Sequence, residues 1–202
     1  AKQLHFDDYS LIDYNRAGIP LIEIVTKPTI RSGAAAAAYL ERLRQIFLFT
    51  EVSDAKMEEG SMRCDVNVSI RPYGSEKFGT RTEIKNLNSI SNVQKAIEFE
   101  VARQEKVLIS GGEVLQETRR YDEDSKETVV MRAKGDAVDY KYYPEPNILP
   151  IRLNHQWVEG IIERIPEMPE SRVARYINEY KIPKTDALIL VCLLYTSDAA
   201  DE

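Results

Sequence analysis

Hydrophobic and polar side chains alternate along two segments near the middle of the chain, residues 62–70 and 80–85. A period of two predicts β-strands with one buried and one polar face. A stretch rich in turn residues joins the segments, so we expect neighbouring antiparallel strands that bury Cys64, Val66 and Val68. The polar face of these strands carries a mixed set of charged and amide side chains: Arg63, Asp65, Asn67, Arg81, Glu83 and Lys85.

Helical periodicity appears on both sides of the two strands. Ser32 is placed to cap a helix that runs to Thr50. The apolar stripe of this helix consists of Leu40, Leu43 and Phe47. A second helix is predicted where Ser91 and Gln94 fit a capping box, and the glycine pair at 111–112 ends it.

The remaining pattern predicts shorter elements. Residues 21–25 form an apolar run with one acid, Glu23, and are expected to be a strand. A further hairpin is predicted from residues 114–121 and 128–132, and the pattern turns helical after Pro150. Strands and helices in this mixed order predict the α+β class, with a second, helical domain beginning after Pro150.

Composition narrows the function classes. The chain has 202 residues, of which 43% are hydrophobic and 30% charged, and its formal net charge is −6. This balance predicts a soluble globular protein that does not bind nucleic acid by bulk positive charge alone, although a local basic patch is compatible with it. Cys64 and Cys192 offer neither metal spacing nor a disulfide framework, so we expect a reducing compartment. We expect neither a membrane span nor a signal peptide, and the absence of an initiator Met suggests a fragment.

Three acidic residues are candidates for chemistry. A carboxylate at Glu23, within an apolar run, is costly to bury unless it is paired or bound to a metal, although it could also point outward at a strand edge. Asp65 and Glu83 lie on strands that a hairpin would bring together, where oxygen ligands suit Mg²⁺. Arg63 and Lys85 beside them could neutralise phosphate oxygens. Acids that suit magnesium, combined with cations that suit phosphate, indicate phosphoryl transfer. The alternative is a solvated sheet face, and no P-loop is present.

Basic residues flank the second hairpin. Arg119, Arg120 and Arg132 could contact the phosphates of ATP or RNA. The alternative is that they form a solvated strand edge, which resists pairing with another chain.

Several segments, taken in order, resemble the B-subunit family of the aspartyl/glutamyl-tRNA(Asn/Gln) amidotransferases. The matching segments are residues 13–25, 56–67, 83–89, 116–120 and 139–146. The resemblance implies a cradle similar in fold to glutamine synthetase in residues 1–152, and the start of a helical domain in residues 153–190. The tail, residues 191–202, does not resemble the family and is expected to be foreign.

The resemblance also implies an activity. The family's B subunit uses ATP and Mg²⁺ to phosphorylate the side-chain carboxylate of misacylated Glu-tRNA(Gln) or Asp-tRNA(Asn). Ammonia, released from glutamine by a glutaminase A subunit, then displaces the phosphate. A small C subunit completes the complex in the bacterial cytoplasm, with no role for a membrane or DNA. Since the family's earlier motifs are missing from this chain, we expect it to be inactive by itself.

Roles for individual residues follow from the same resemblance. It implies metal ligands at Glu23, Glu59, Asp65 and Glu83. It implies orientation of phosphate or substrate by Arg63, Lys85 and Asn86. ATP contacts are expected from Asn67, Arg119 and Arg132. Two competing hypotheses remain open: a module that only binds the tRNA acceptor end, and a structural subunit that sites a channel between partners.

Overall fold

The computed structural model describes residues 2–15, 17–133 and 146–192 of the chain. These residues form an α+β structure with six strands and five helices, which confirms the predicted fold class. The chain divides into two units, residues 1–30 and 31–202.

The first unit contains one small hairpin. Strands β1 (Lys2–His5) and β2 (Ser10–Asp13) pair in antiparallel register. The predicted strand at residues 21–25 is wrong, because this segment has no regular secondary structure and Leu21 is 89% exposed. A strand needs a hydrogen-bonded neighbour, and β1 and β2 pair with each other in the described part of this unit.

The second unit is built on a four-stranded sheet. In sheet order, its strands are β3 (Val66–Val68), β4 (Thr82–Lys85), β5 (Glu117–Asp122) and β6 (Glu127–Ala133). The β3–β4 and β5–β6 pairs are antiparallel, whereas β4 and β5 are parallel. Both predicted strand pairs are therefore confirmed, although β3 is shorter than the predicted strand at 62–70.

Burial alternates along β3 and β4 as the sequence pattern predicts. Val68 and Ile84 are buried, whereas Asp65 is exposed. Cys64 and Val66 are only half-buried, so the expectation that both would be buried is wrong. Cys64 precedes β3 and Val66 begins it, at the end of an edge strand, so both side chains pack against the core only in part, whereas Val68 further along is buried.

Two long helices complete the core of the second unit. Helix α1 (Gly33–Phe49) begins after Ser32, whose Oγ accepts the Ala35 N–H at 3.1 Å, so the predicted cap is confirmed. Helix α2 (Ile90–Ile109) connects β4 to β5 and contacts both α1 and the sheet. The core between them consists of Ala36, Leu40, Ala55, Met57, Met62, Val68, Ile84, Leu87, Val93, Ala96, Ile97 and Tyr121.

The cap of α2 differs from the prediction. Ser89, not Ser91, caps the helix, and its Oγ accepts the Asn92 N–H at 3.1 Å. Ser89 has the extended backbone that an N-cap requires, with φ −153° and ψ 156°. Ser91 already lies within the first turn of the helix, and the predicted capping box is therefore wrong.

Shorter helices follow the sheet, as the pattern after Pro150 predicts. They are α3 (His155–Ile162), α4 (Pro169–Tyr180) and α5 (Lys184–Cys192). Val191, the first residue of the tail expected to be foreign, is buried within α5. Residues 193–202 lie outside the described part, and the domain boundary near residue 152 stays a prediction. None of the helices in the described ranges is both long and apolar enough to cross a membrane.

Candidate functional site

A row of polar residues crosses the sheet from β3 to β5. Asn67 is paired with Glu83 in the antiparallel register, and Glu83 is paired with Thr118 in the parallel register. Residues that are paired across strands share one face of a sheet. We call this the charged face, defined by Asp65, Asn67, Glu83, Lys85 and Thr118.

Lys85 joins the two acids of the charged face. Its Nζ lies 2.7 Å from Asp65 Oδ2 and 3.2 Å from Glu83 Oε1. The hydrogen bond to Asp65 raises the pKa of Lys85 above its usual value, with Glu83 adding to the effect against the lowering by partial burial. The ammonium therefore stays charged at neutral pH, and the site combines one fixed cation with two carboxylates.

Glu83 is also held from the neighbouring strand. Thr118 is 2% exposed, and its Oγ1 donates to Glu83 Oε2 at 3.0 Å. The two oxygens of the Glu83 carboxylate thus face different partners, a hydroxyl and an ammonium. Thr118 was not among the residues predicted from the sequence, since its pairing with Glu83 depends on the parallel register created by α2.

The opposite face of the sheet, against α2, contains a buried polar network. The Glu100 side chain is fully buried and accepts hydrogen bonds from Thr128 Oγ1 at 2.8 Å and Gln104 Nε2 at 2.8 Å. Arg103 donates two further bonds to it, at 2.6 and 2.9 Å. Burial by itself would raise the pKa of Glu100, but the bonds from Arg103, Gln104 and Thr128 outweigh burial and hold it below its usual value.

Gln104 extends this network to the strands. Its Nε2 donates to the Val68 carbonyl at 3.2 Å, and its Oε1 accepts the Ile70 N–H at 3.2 Å. Neither Glu100 nor Gln104 was predicted from the sequence. The available signal was their spacing, because they continue the helical stripe that begins at Val93 and Ile97.

Arg119 belongs to the same buried network. Its guanidinium donates to Thr128 Oγ1 at 2.9 Å and to the Thr128 carbonyl at 2.6 Å, and it forms an ion pair with Glu117. These contacts explain how a cation is accommodated inside the fold. They give Arg119 a structural role, whereas its contact with ATP stays a prediction.

The other predicted site residues are dispersed. Glu59 forms a local ion pair with Lys56 at 2.7 Å, and Arg63 is exposed. Asn86 follows β4 with a left-handed backbone, φ 59°, which Asn tolerates better than most residues.

Three predictions concern residues that lie in the first unit or outside the described part of the chain. Glu23 is exposed in the first unit. The Arg132 side chain and residues 139–145 of the last matching segment lie outside the described part of the chain. Over the residues that are described, no three His, Cys, Asp or Glu side chains are grouped to hold one metal ion. The full predicted ligand set therefore stays a prediction, and the structure brings together only its Asp65–Glu83 pair within the described region.

Comparison with known proteins identifies the family of the chain. A family model described as the GatB/GatE catalytic domain matches residues 1–159. Proteins named as the B subunit of aspartyl/glutamyl-tRNA(Asn/Gln) amidotransferase are similar to the chain. The relative from Mesoplasma florum is 52% identical over 202 residues, which is 100% of this chain and 42% of the relative.

Two further relatives give the same result. The Staphylococcus carnosus protein is 54% identical over 197 residues, covering 98% of this chain and 42% of its own length. The Oceanobacillus iheyensis protein is 54% identical over 196 residues, covering 97% of this chain and 41% of its own length. The chain therefore spans less than half the length of these relatives. The Mesoplasma florum match includes residues 191–202, and the foreign origin of that tail stays a prediction.

Proposed function

This chain belongs to the GatB/GatE catalytic domain family, and we propose on that premise that it forms part of the kinase and transamidase site of a tRNA-dependent amidotransferase. The substrates would be Glu-tRNA(Gln) or Asp-tRNA(Asn), together with ATP. The observation that carries the proposal is the placement of Lys85 between Asp65 and Glu83 on one face of the sheet.

The reaction explains why such a site is needed. Ammonia cannot displace oxide from a carboxylate at a useful rate, so the side-chain carboxylate is first converted to an acyl phosphate by transfer of the γ-phosphoryl group of ATP. Ammonia then attacks the acyl carbon, and phosphate leaves with the bonding electron pair. The first step brings an anionic nucleotide beside an anionic substrate, which requires fixed positive charge.

On the charged face, Lys85 supplies one such fixed positive charge. Lys85 would lie against phosphate oxygens, with Asp65 and Glu83 fixing the direction of its ammonium. Proteins usually hold Mg²⁺ by one or two carboxylates together with substrate phosphates, and Asp65 and Glu83 fit that donor set. When bound, Mg²⁺ would supply further neutralisation of the phosphate charge.

The remaining assignments extend the same proposal. Glu23 and Glu59 would add ligands, while Arg63 and Asn86 would orient the substrate. Asn67, Arg119 and Arg132 would contact ATP. Asn67 has the strongest positional support, because it pairs with Glu83 on the charged face.

The proposed assembly includes a glutaminase subunit, a small third subunit and the misacylated tRNA. We place it in the bacterial cytoplasm, and we propose a glutamine-synthetase-like cradle as the architecture of the whole domain. The activity is proposed for the complete protein, because this chain spans about 42% of its relatives.

The test is transamidation by the complete complex that contains this chain. The purified complex is supplied with glutamine, γ-labelled ATP and each misacylated tRNA in turn. We expect amidated tRNA and one phosphate released per amide formed. A complex that binds the misacylated tRNA tightly but consumes no ATP would overturn the proposal in favour of the module that only binds the acceptor end.

A further inference from the structure

We infer that Thr118 is a positioning residue that orients the Glu83 carboxylate for the site proposed above. The inference rests on the proposed function of the charged face and adds a residue to it. Thr118 would not contact the substrate. It would act through Glu83, in the way that hydrogen-bond partners of metal ligands commonly orient those ligands.

Both the strand register and a side-chain hydrogen bond hold Thr118 against Glu83. The parallel register of β4 and β5 places the two residues opposite each other. The Thr118 hydroxyl then donates to Glu83 Oε2 at 3.0 Å, while Oε1 of the same carboxylate lies 3.2 Å from Lys85 Nζ. Because the two oxygens have different partners, rotation of the carboxylate about its terminal torsion would break both contacts.

Thr118 and Glu83 differ in how far they are buried. Thr118 is 2% exposed, whereas the Glu83 side chain is 17% exposed. The hydroxyl thus approaches from the protein interior, while part of the Glu83 side chain reaches the surface. A carboxylate oxygen has lone pairs for more than one partner, so the Thr118 bond orients Glu83 without blocking it.

A second threonine of the same sheet provides a control on the opposite face. Thr128 is also 2% exposed, and its hydroxyl also donates to a carboxylate, Glu100 Oε2, at 2.8 Å. It lies on the opposite face, where Glu100 and α2 are. Replacing either threonine with valine keeps the shape and removes its buried hydroxyl. Thr118→Val loses the hydrogen bond to Glu83, whereas Thr128→Val loses the bond to Glu100 and the bond that Thr128 accepts from Arg119 Nε at 2.9 Å. Thr128→Val is therefore the more damaging change, and it affects the carboxylate on the opposite face.

The experiment compares Thr118→Val, Thr118→Ser and Thr128→Val in the complete complex. Calorimetric titration with Mg²⁺ in the presence of a non-hydrolysable ATP analogue measures metal affinity, and unfolding midpoints measure stability. We expect Thr118→Val to weaken the metal affinity by about 10- to 100-fold. Thr118→Ser should restore it to within about threefold because the hydroxyl returns. Thr128→Val should lower the unfolding midpoint at least as much as Thr118→Val does, because it removes two buried hydrogen bonds, with little change in metal affinity.

Two results would overturn the inference. One is wild-type metal affinity in a folded Thr118→Val complex, and the other is an equal loss of affinity in Thr128→Val. The proposed function fails separately, if the wild-type complex does not phosphorylate its substrate. In that case the metal affinity of a Glu83→Gln complex still tests the inference. If Glu83→Gln does not weaken metal binding, Glu83 is not a metal ligand, and the inference that Thr118 positions it is overturned as well.

Discussion

The Lys85 ammonium and the Asp65 carboxylate lie 2.7 Å apart although they are 20 positions apart in the sequence. The side chains are 33% and 51% exposed, and ion pairs with this exposure contribute between zero and about 1 kcal/mol to stability. Stability is therefore a weak explanation for a cation placed against two acids. Two carboxylates against one ammonium carry a net charge of −1, which suits the proposed recognition of an anionic ligand together with a metal ion.

Ser89 should contribute measurably to stability as the cap of α2. Ser89→Ala removes the acceptor for the Asn92 N–H and should lower the free energy of unfolding by about 1 kcal/mol. Ser91→Ala is the matched control, because Ser91 is exposed within the first turn, and its effect should stay within about 0.5 kcal/mol. Urea unfolding of the complete protein measures both. A larger loss from Ser91→Ala would contradict the observed cap.

Glu100 should make stability depend on pH. Its pKa is lowered from the usual 4.5 in the folded state, so its stabilisation is fully present above pH 4.5 and is lost as the pH falls through the folded-state pKa. Glu100→Gln should lower the free energy of unfolding by about 3–5 kcal/mol at pH 7, because it leaves the partly buried Arg103 without its carboxylate partner. The gap in unfolding midpoint between wild type and variant should narrow in acid.

The control for Glu100 is Glu105→Gln, an exposed position on the same helix. It should leave the unfolding midpoint at about pH 7 almost unchanged. A wild-type profile that runs parallel to the Glu100→Gln profile from about pH 7 to well below the usual carboxyl pKa would show that Glu100 does not titrate as described.

Cys64 should react slowly with thiol reagents. Burial, with a smaller contribution from Asp65, raises the pKa of the thiol to about 11. Since the thiolate is the reactive form, alkylation at about pH 7.5 should be roughly three-thousandfold slower than that of a fully ionised thiol, and it should accelerate about tenfold per pH unit. Mass spectrometry of the Cys64 peptide measures the rate, with urea-unfolded protein as the control. Equal rates in the folded and unfolded states would contradict this prediction.

The local pattern of the sequence was enough to predict much of the second unit. The alternation around Asp65 and Glu83 gave the correct strand pair and the correct outward face, because a strand with one buried side has a period of two. The cap at Ser32 was predictable for a similar reason, since a capping hydroxyl acts within three residues. The family resemblance added the functional interpretation, which residue spacing alone left open.

The misses concern interactions that local patterns do not encode. Residues 21–25 have the composition of a strand, but no pattern within them specifies a partner. The hydrogen bond between Thr118 and Glu83 depends on a parallel register across 35 positions of the sequence. Glu100 was overlooked because a charged residue on a helix is expected to face water, and its burial is possible only with donors from β6 and α2.

Asp65→Asn in the complete complex tests whether the charged face performs the proposed phosphoryl transfer. This change keeps the shape of the side chain and removes one charge beside Lys85. With γ-labelled ATP and Glu-tRNA(Gln), formation of the acyl phosphate should fall by two to three decades, about 3–4 kcal/mol of transition-state stabilisation. In the Asp65→Asn complex, glutamine hydrolysis should stay measurable and the affinity for tRNA should be nearly unchanged. The control is Asp124→Asn, in the exposed turn before β6, and it should leave all of these activities nearly unchanged. Near-normal phosphorylation by a folded Asp65→Asn complex would contradict the assignment.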